Sequence, residues 1–284
     1  MPVWRSYVEL TKPRIIELLL VTTVPAMFVA TGGWPDWWLV LATLIGGTLS
    51  AGGANAINNA IDHDIDQLMR RTSRRPVPTD RVNSRQALAF GIVLGAAGFG
   101  WLWATTNLLA AGLSTSGLLF YVFVYTLWLK RSTTQNIVIG GAAGSVPALV
   151  GWAAVTGDLA VAAWVMFAII FFWTPPHFWA LALRYRDDYE RAGVPMLPVV
   201  VGEKPTLQAI LAYSAVVTGV SLLLFLTPPV GWVYLVAAAV LGAVLMASAV
   251  RLRSAPQRAM SFFGYSNVYL AGLFVAMAVD AVIS

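Results

Sequence analysis

Asn58, Asp62 and Asp66 recur every four residues in Asn58-Asn59-Ala60-Ile61-Asp62-His63-Asp64-Ile65-Asp66, at the inner end of a long apolar run. On a helix continuing through them, the three drift by about 40° per step and keep to one face. Asp64 points elsewhere unless the helix ends there. A second acidic cluster, Arg184-Tyr185-Arg186-Asp187-Asp188-Tyr189-Glu190-Arg191, closes a later apolar run. Carboxylates at a membrane boundary are costly and are usually kept for function. Three of them within five residues repel one another and gain from a shared cation. Mg²⁺ prefers oxygen and commonly bridges one or two carboxylates to substrate phosphates. The clusters therefore predict a metal–diphosphate site facing a lipid-soluble substrate, with Asn58, Asp62, Asp66, Asp187 and Asp188 as candidate ligands. The plainer alternative is a solvated helix cap at the first cluster and an ordinary juxtamembrane loop at the second.

Basic residues adjoin both clusters: Arg70, Arg71, Arg74 and Arg75 after the first, Arg184 and Arg186 beside the second, and Lys130-Arg131 at the end of another apolar run. Arginine offers forked donors to phosphate and lysine a compact charge. Arg70, Lys130, Arg131 and Arg184 are the candidate diphosphate-binding residues, Lys130 and Arg131 foremost because polar Asn136 follows them. Membrane topology alone also accounts for many of these charges.

The elements that must position these groups are membrane helices. The chain has 284 residues, 58% hydrophobic and only 11% charged, too little charge to cover a soluble domain of this size. There is no cysteine, which excludes disulfides and thiolate ligands or nucleophiles. The net charge of +5 is spread over short gaps between apolar runs and forms no stripe for nucleic acid. Nine apolar stretches can span roughly 30 Å of hydrocarbon. They lie near Ile15–Thr31, Trp38–Ile61, Ala87–Thr106, Leu108–Leu129, Asn136–Thr156, Leu159–Leu183, Leu207–Leu226, Val230–Val250 and Phe262–Ile283. Thr105-Thr106-Asn107 predicts a tight turn between the third and fourth. The first run is long for a secretory leader and has no clear cleavage site after it.

All 18 Lys and Arg residues fall in the N-terminal tail or in connections from even to odd spans. The positive-inside rule then places the N-terminus in the cytoplasm and the C-terminus outside. The two long polar connections, from Asp62 to Arg85 and from Arg184 to Thr206, both follow acidic clusters and lie on the inner side. A four-span offset between them suggests two related four-helix halves plus a ninth helix. Gly46-Gly47, Gly52-Gly53 and Gly140-Gly141 with Gly144 allow close helix approach. Pro175-Pro176 interrupt the sixth span and open space before His177. His177, Arg184 and Asp188 then fall near one helical face, and the histidine stabilises positive charge or serves as a packing hydrogen bond. Tyr121 and Tyr125 share a face of the fourth span, lining a cavity or filling the core.

These segments resemble the UbiA-type intramembrane prenyltransferases and, within them, the protohaem IX farnesyltransferase (haem O synthase) family. The resemblance rests on Tyr7–Ile15, Asn58–Thr72, Leu129–Gly141, Gly151–Gly157, Pro175–Trp179, Asp188–Pro198 and Tyr265–Leu270, and covers essentially the whole chain. The acidic motif indicates the superfamily; the Lys130–Gly141 and Pro175–Pro198 stretches point to the haem branch. Many superfamily members carry a second Asp-x3-Asp, whereas Asp187 here is followed four later by Arg191 and Asp188 by Ala192. The haem branch has a similarly reduced Asp-Tyr form.

The resemblance implies a single all-α domain over residues 1–284, multi-pass in the inner membrane of a prokaryote, with its active site facing the cytoplasm. It implies transfer of farnesyl from farnesyl diphosphate to a vinyl group of haem B with addition of water, giving haem O, which a downstream haem A synthase would consume. The implied catalytic set is Asn58, Asp62, Asp66, Lys130, Arg131 and Asp188, with Mg²⁺ as cofactor. His177, Tyr121 and Tyr125 become candidates for the haem or prenyl cavity, and His63 is a weaker candidate for the iron. Rival readings are a prenyltransferase for an aromatic quinone precursor and a haem or lipid transporter using the acids for ion coupling.

Overall fold

The computed structural model describes residues 2–228 and 230–283, with residues 14–20 described by backbone alone. Among the described residues the protein is all-helical. A short helix α1 (Val3–Leu10) precedes α2 (Pro13–Thr31), α3 (Trp37–Ile61), α4 (His63–Leu68) and α5 (Ser84–Thr105). There follow α6 (Leu108–Ser132), α7 (Asn136–Thr156), α8 (Val161–Arg184), α9 (Arg186–Arg191) and α10 (Leu197–Val200). The chain ends with α11 (Glu203–Leu226), α12 (Trp232–Ser254) and α13 (Ala259–Ile283). Among the described residues, eight helices are long and apolar enough to cross a membrane: α3, α5, α6, α7, α8, α11, α12 and α13. The protein is thus a multi-pass membrane protein. The expected first span coincides with α2, but its side chains at 15–20 lie outside the described residues.

Local chemistry sets the helix starts. Asp36 Oδ1 accepts from Leu39 N–H at 2.8 Å, and Asn83 and Gln86 form a reciprocal capping box. Asn107 caps α6 through Ala110 N–H and also donates to the Ala153 carbonyl at 2.7 Å, so the tight turn is pinned to α7. Outward faces carry Val93, Trp103, Phe123, Leu127, Val236 and Val240, all exposed, as expected where lipid replaces water.

One arc runs α2, α3, α5, α6, α7, and a second runs α7, α8, α11, α12, α13 and closes back on α2. Within the first arc α3 and α5 touch backbone to backbone. A Cβ on Gly53 would lie 2.6 Å from the Gly91 carbonyl, and one on Gly98 would lie 2.9 Å from Ser50 N. Neither neighbour is a side chain that can rotate away. Gly53→Leu is therefore expected to separate the pair and destabilise the fold by at least about 1–3 kcal/mol, read as a lower melting temperature in detergent. Gly46, Gly52, Gly140 and Gly141 are also close approaches, whereas a Cβ on Gly47 or Gly144 would meet nothing within 4 Å. Those two correct the packing expectation: they face the internal cavity.

One buried acid serves the fold. Asp280, on α13, accepts from the backbone N–H groups of Gly231, Val233 (3.1 Å) and Tyr234 (3.4 Å) at the start of α12. It caps a neighbouring helix whose first amides would otherwise be orphaned.

Candidate active site

A cavity of about 780 Å³ lies between the two arcs. Its polar end is bounded by Lys12, Asn58, Asp66, Arg71, Arg75 and Lys130, and its interior by Tyr121, Tyr125, Val146, Ile170, Trp173, His177, Phe178, Phe263 and Leu270. Such a chamber, charged at one end and apolar beyond, suits a molecule with an anionic head and a greasy body.

The polar end is built from α3 upward. Asn58 is 2% exposed, Asp62 0% and Asp66 1%. The helix does not continue through them as the spacing predicted. It ends at Ile61, Asp62 takes a turn conformation (φ −87°, ψ 10°), and α4 restarts at His63. The break places Asp66 against the cavity while Asp64 faces outward, half exposed. Two backbone bonds, Asp62 N–H to Asn58 C=O (2.9 Å) and Asp66 N–H to Asp62 C=O (2.8 Å), keep the three residues stacked across it.

Each acid has a basic partner. Lys130 Nζ and Asn58 Nδ2 (2.6 Å) both donate to Asp62 Oδ2. Arg131 forks onto both oxygens of Asp64 at 2.7 Å and approaches Asp62 Oδ1 at 3.5 Å. That fork holds the Asp64 carboxyl down to about 2, so it stays ionised at neutral pH. Arg75 Nη1 donates to Asp66 Oδ2 at 2.6 Å, and Asp66 Oδ1 takes no hydrogen bond from the described residues. Five cations (Lys12, Arg71, Arg75, Lys130, Arg131) thus face three carboxylates, an excess that favours an anionic ligand.

Lys12, Arg71 and Arg75 line the polar end although sequence reading did not select them for the site; Arg71 and Arg75 were named only as basic neighbours of the acids. Lys12 adopts left-handed backbone (φ 53°, ψ 64°) at the corner between α1 and α2. Asn55 Nδ2 donates to the Thr11 carbonyl (3.0 Å) and Asn59 Nδ2 to that of Leu10 (3.2 Å), so α3 grips the corner. Lys12 Nζ then reaches Asn58 Oδ1 at 2.7 Å. The available signal was the row Asn55, Asn58, Asn59 beside the acids, polar groups with no evident partner of their own.

The second cluster meets the first through packing. Ile65 and Met69 form one small core with Ile137, Ala182, Tyr189, Ala192, Val194 and Met196. Burying those apolar residues bends the chain at Tyr185 and starts α9, which corrects the expectation of a continuous helix through His177, Arg184 and Asp188. Arg71 Nη2 lies 3.5 Å from the Tyr189 hydroxyl, so the two inner loops touch over the cavity mouth. Asp188 is 5% exposed; Arg191 donates to its Oδ1, and its Oδ2 is buried without a partner. Asp187, Arg70 and Arg184 are exposed and do not line the cavity. His63 is exposed too.

Tyr121 and Tyr125 lie in an unusually wide segment of α6, Phe120–Leu129, with i→i+5 bonding. The wider turn stacks their rings at 5.4 Å and 24°, both against the cavity, and such segments are frequent at functional sites. Thr126 donates to the Tyr121 carbonyl (2.8 Å) and receives Asn58 Nδ2 (3.2 Å), coupling this segment to the acids. On the sixth predicted span, Thr174, His177 and Phe178 around Pro175-Pro176 line the chamber.

The donor set suits a magnesium–diphosphate pair and not an all-protein metal cage. Among the described residues no three acidic or histidine groups converge. The hard oxygens present are carboxylates with one unpartnered atom each at Asp66 and Asp188, which leaves the remaining positions to phosphate and water.

The UbiA prenyltransferase family profile matches residues 19–273. Protoheme IX farnesyltransferase 2 of Saccharopolyspora erythraea is 54% identical, over 99% of this chain and 87% of that protein. The protoheme IX farnesyltransferase of Gloeobacter violaceus is 55% identical, over 98% of this chain and 92% of its own length. Among solved structures, one reported for digeranylgeranylglyceryl phosphate synthase superposes with a TM-score of 0.81 at 18% identity, over 100% of both chains. A UbiA homolog from Archaeoglobus fulgidus bound to DMAPP and Mg²⁺ superposes with a TM-score of 0.69 at 16% identity, over 96% of this chain and 99% of that one. The last two share the fold.

Proposed function

This chain belongs to the UbiA prenyltransferase family, and from that premise we propose that it transfers the farnesyl group of farnesyl diphosphate to a vinyl group of haem B. The observation that carries the reading is the two-ended cavity, cationic and acidic at its mouth and aromatic within. The identity of more than half with protoheme IX farnesyltransferases along nearly the whole chain supports haem as the acceptor.

In this reading Lys12, Arg71, Lys130 and Arg131 hold the diphosphate by charge-assisted hydrogen bonds. Asp62 and Asp66, aided by Asn58 and Asp188, would hold Mg²⁺ beside the diphosphate. Bound there, Mg²⁺ would supply neutralisation of the leaving diphosphate. The farnesyl C1–O bond breaks and the electron pair leaves with the diphosphate, where the fixed cations stabilise the charge that develops. The vinyl terminal carbon bonds to C1, and water adds its oxygen to the inner vinyl carbon with release of a proton. Tyr121, Tyr125 and the apolar wall keep other water from the allylic cation. No side-chain nucleophile is required. The distribution of Lys and Arg supports nine spans, with the polar mouth and N-terminus in the cytoplasm, and the bacterial relatives support placement in the inner membrane of a prokaryote. A haem A synthase is the fitting consumer of the product.

The test is an assay in purified membranes supplied with haem B, farnesyl diphosphate and Mg²⁺, read by mass spectrometry. The hydroxyethylfarnesyl haem and free diphosphate are expected, both abolished by chelation. Diphosphate release only when an aromatic quinone precursor replaces haem would transfer the reading to that acceptor. Haem movement without diphosphate release would make the protein a transporter.

A further inference from the structure

His177 is 4% exposed, on α8, in the wall of the cavity and seven residues before the helix ends at Arg184. Trp173 and Phe263 each lie 4.2 Å from its ring, tilted by only 22° and 24°. Two rings that close and that parallel cannot share one face, so the imidazole is sandwiched between them. In its plane, Nδ1 lies 2.7 Å from Ser266 Oγ.

The serine decides where the imidazole proton sits. A hydroxyl has one proton to give, and Ser266 Oγ donates it to the Phe263 carbonyl at 2.7 Å. Ser266 Oγ therefore accepts from Nδ1–H, which leaves the lone pair on Nε2. No hydrogen bond to Nε2 comes from the described residues. The same serine also receives Trp173 Nε1–H on its backbone carbonyl at 2.7 Å, so it fixes both the imidazole and a ring stacked on it.

A neutral imidazole with Nδ1–H tethered and Nε2 free is a pre-oriented metal ligand, its tautomer set by the hydrogen bond on the far nitrogen. Among the described residues, His177 belongs to no cluster of acidic or histidine groups that could hold a metal of its own. The metal must arrive with the substrate. We propose that His177 Nε2 is an axial ligand to the iron of the haem acceptor and that Ser266 is its positioning residue. The proposal rests on the haem reading of the cavity. It gives the buried histidine a task the farnesyl chemistry leaves unassigned: anchoring the porphyrin against the α8 wall of the chamber.

The chain has only two histidines, His63 and His177, so ¹⁵N-histidine labelling of the protein loaded with haem B is nearly site-specific. In the reduced complex, resonance Raman spectra are expected to show an iron–histidine stretch that shifts with the label. The band should persist in His63→Gln, disappear in His177→Gly and return when free imidazole is added. Ser266→Ala should lower its frequency without loss of haem, because the lost hydrogen bond makes Nε2 less basic. Absence of an isotope-sensitive band in the wild-type complex, a measurement that depends on no variant folding, would overturn the proposal; so would survival of the band in His177→Gly. Haem product formed by a wild-type complex lacking the band removes the ligation alone. Failure both to bind haem and to form product removes the acceptor assignment with it.

Discussion

Asp62→Asn is expected to reduce farnesyl transfer by roughly 10²–10³-fold or more, the loss typical of removing one preorganised electrostatic contact from a transition state. Asp62 is fully buried and receives Asn58 Nδ2, Lys130 Nζ and, at longer range, Arg131. The asparagine keeps the shape and an acceptor oxygen but removes the charge that pairs with Lys130 and that, in the proposed mechanism, holds the cation. Taking one partner from a buried pair costs about 3–5 kcal/mol when the survivor stays buried. Lys130 is 14% exposed at the side chain and opens on the cavity, so it can turn toward water or diphosphate, and the stability loss should fall below that range. The diagnostic result is a large fall in kcat that excess Mg²⁺ only partly restores, in protein with a near-normal melting temperature. Lys130→Met should lower kcat as well, without altering the dependence on Mg²⁺ concentration. Unchanged turnover in Asp62→Asn would remove the carboxylate from the mechanism.

Lys12 is expected to matter nearly as much. A hydrogen bond to a charged group is worth about 1.5–3 kcal/mol, so Lys12→Met should weaken binding of the prenyl diphosphate by roughly 10–150-fold on that principle's scale. The companion substitution, Lys12→Gly, separates function from fold. A side-chain-bearing residue in left-handed backbone stores about 1–3 kcal/mol, which glycine releases. Lys12→Gly should therefore lose prenyl diphosphate affinity while its melting temperature holds or rises. Affinity retained in both variants, measured by isothermal titration with farnesyl thiodiphosphate, would assign the corner to folding alone. The alternative outcome, a fall in stability with Lys12→Gly, would mean that the Asn58 contact is worth more to the apo protein than the strain it imposes.

Two buried acids, Asp62 and Asp280, make a useful contrast. Both are essentially buried. Asp280 accepts from three backbone amides at the start of α12 and has the surroundings of a structural cap. Asp62 faces side-chain cations, one of which lines the cavity. Burial and residue type are the same, and only the partners differ.

Much of this molecule was legible in the linear chain because hydrocarbon thickness imposes a length on every apolar run and lipid forbids exposed backbone. That is why the eight long helices begin and end close to the expected positions, and why Asn107 marks the turn after α5. The acidic row Asn58, Asp62, Asp66 stood out because charge is so rare in such a chain, and its family resemblance located the reaction class. The tertiary structure decided what depends on contacts between residues distant in sequence. The acids around the helix break at Asp62 meet cations supplied by α6 and by the loop after α4. Lys12 joins the site because α3 asparagines capture carbonyls 44 to 49 residues earlier in the chain. His177 acquires its tautomer from Ser266, 89 residues away. Composition and periodicity report on each helix against its solvent; which nitrogen holds a proton, and which acid meets which base, is settled only where helices pack.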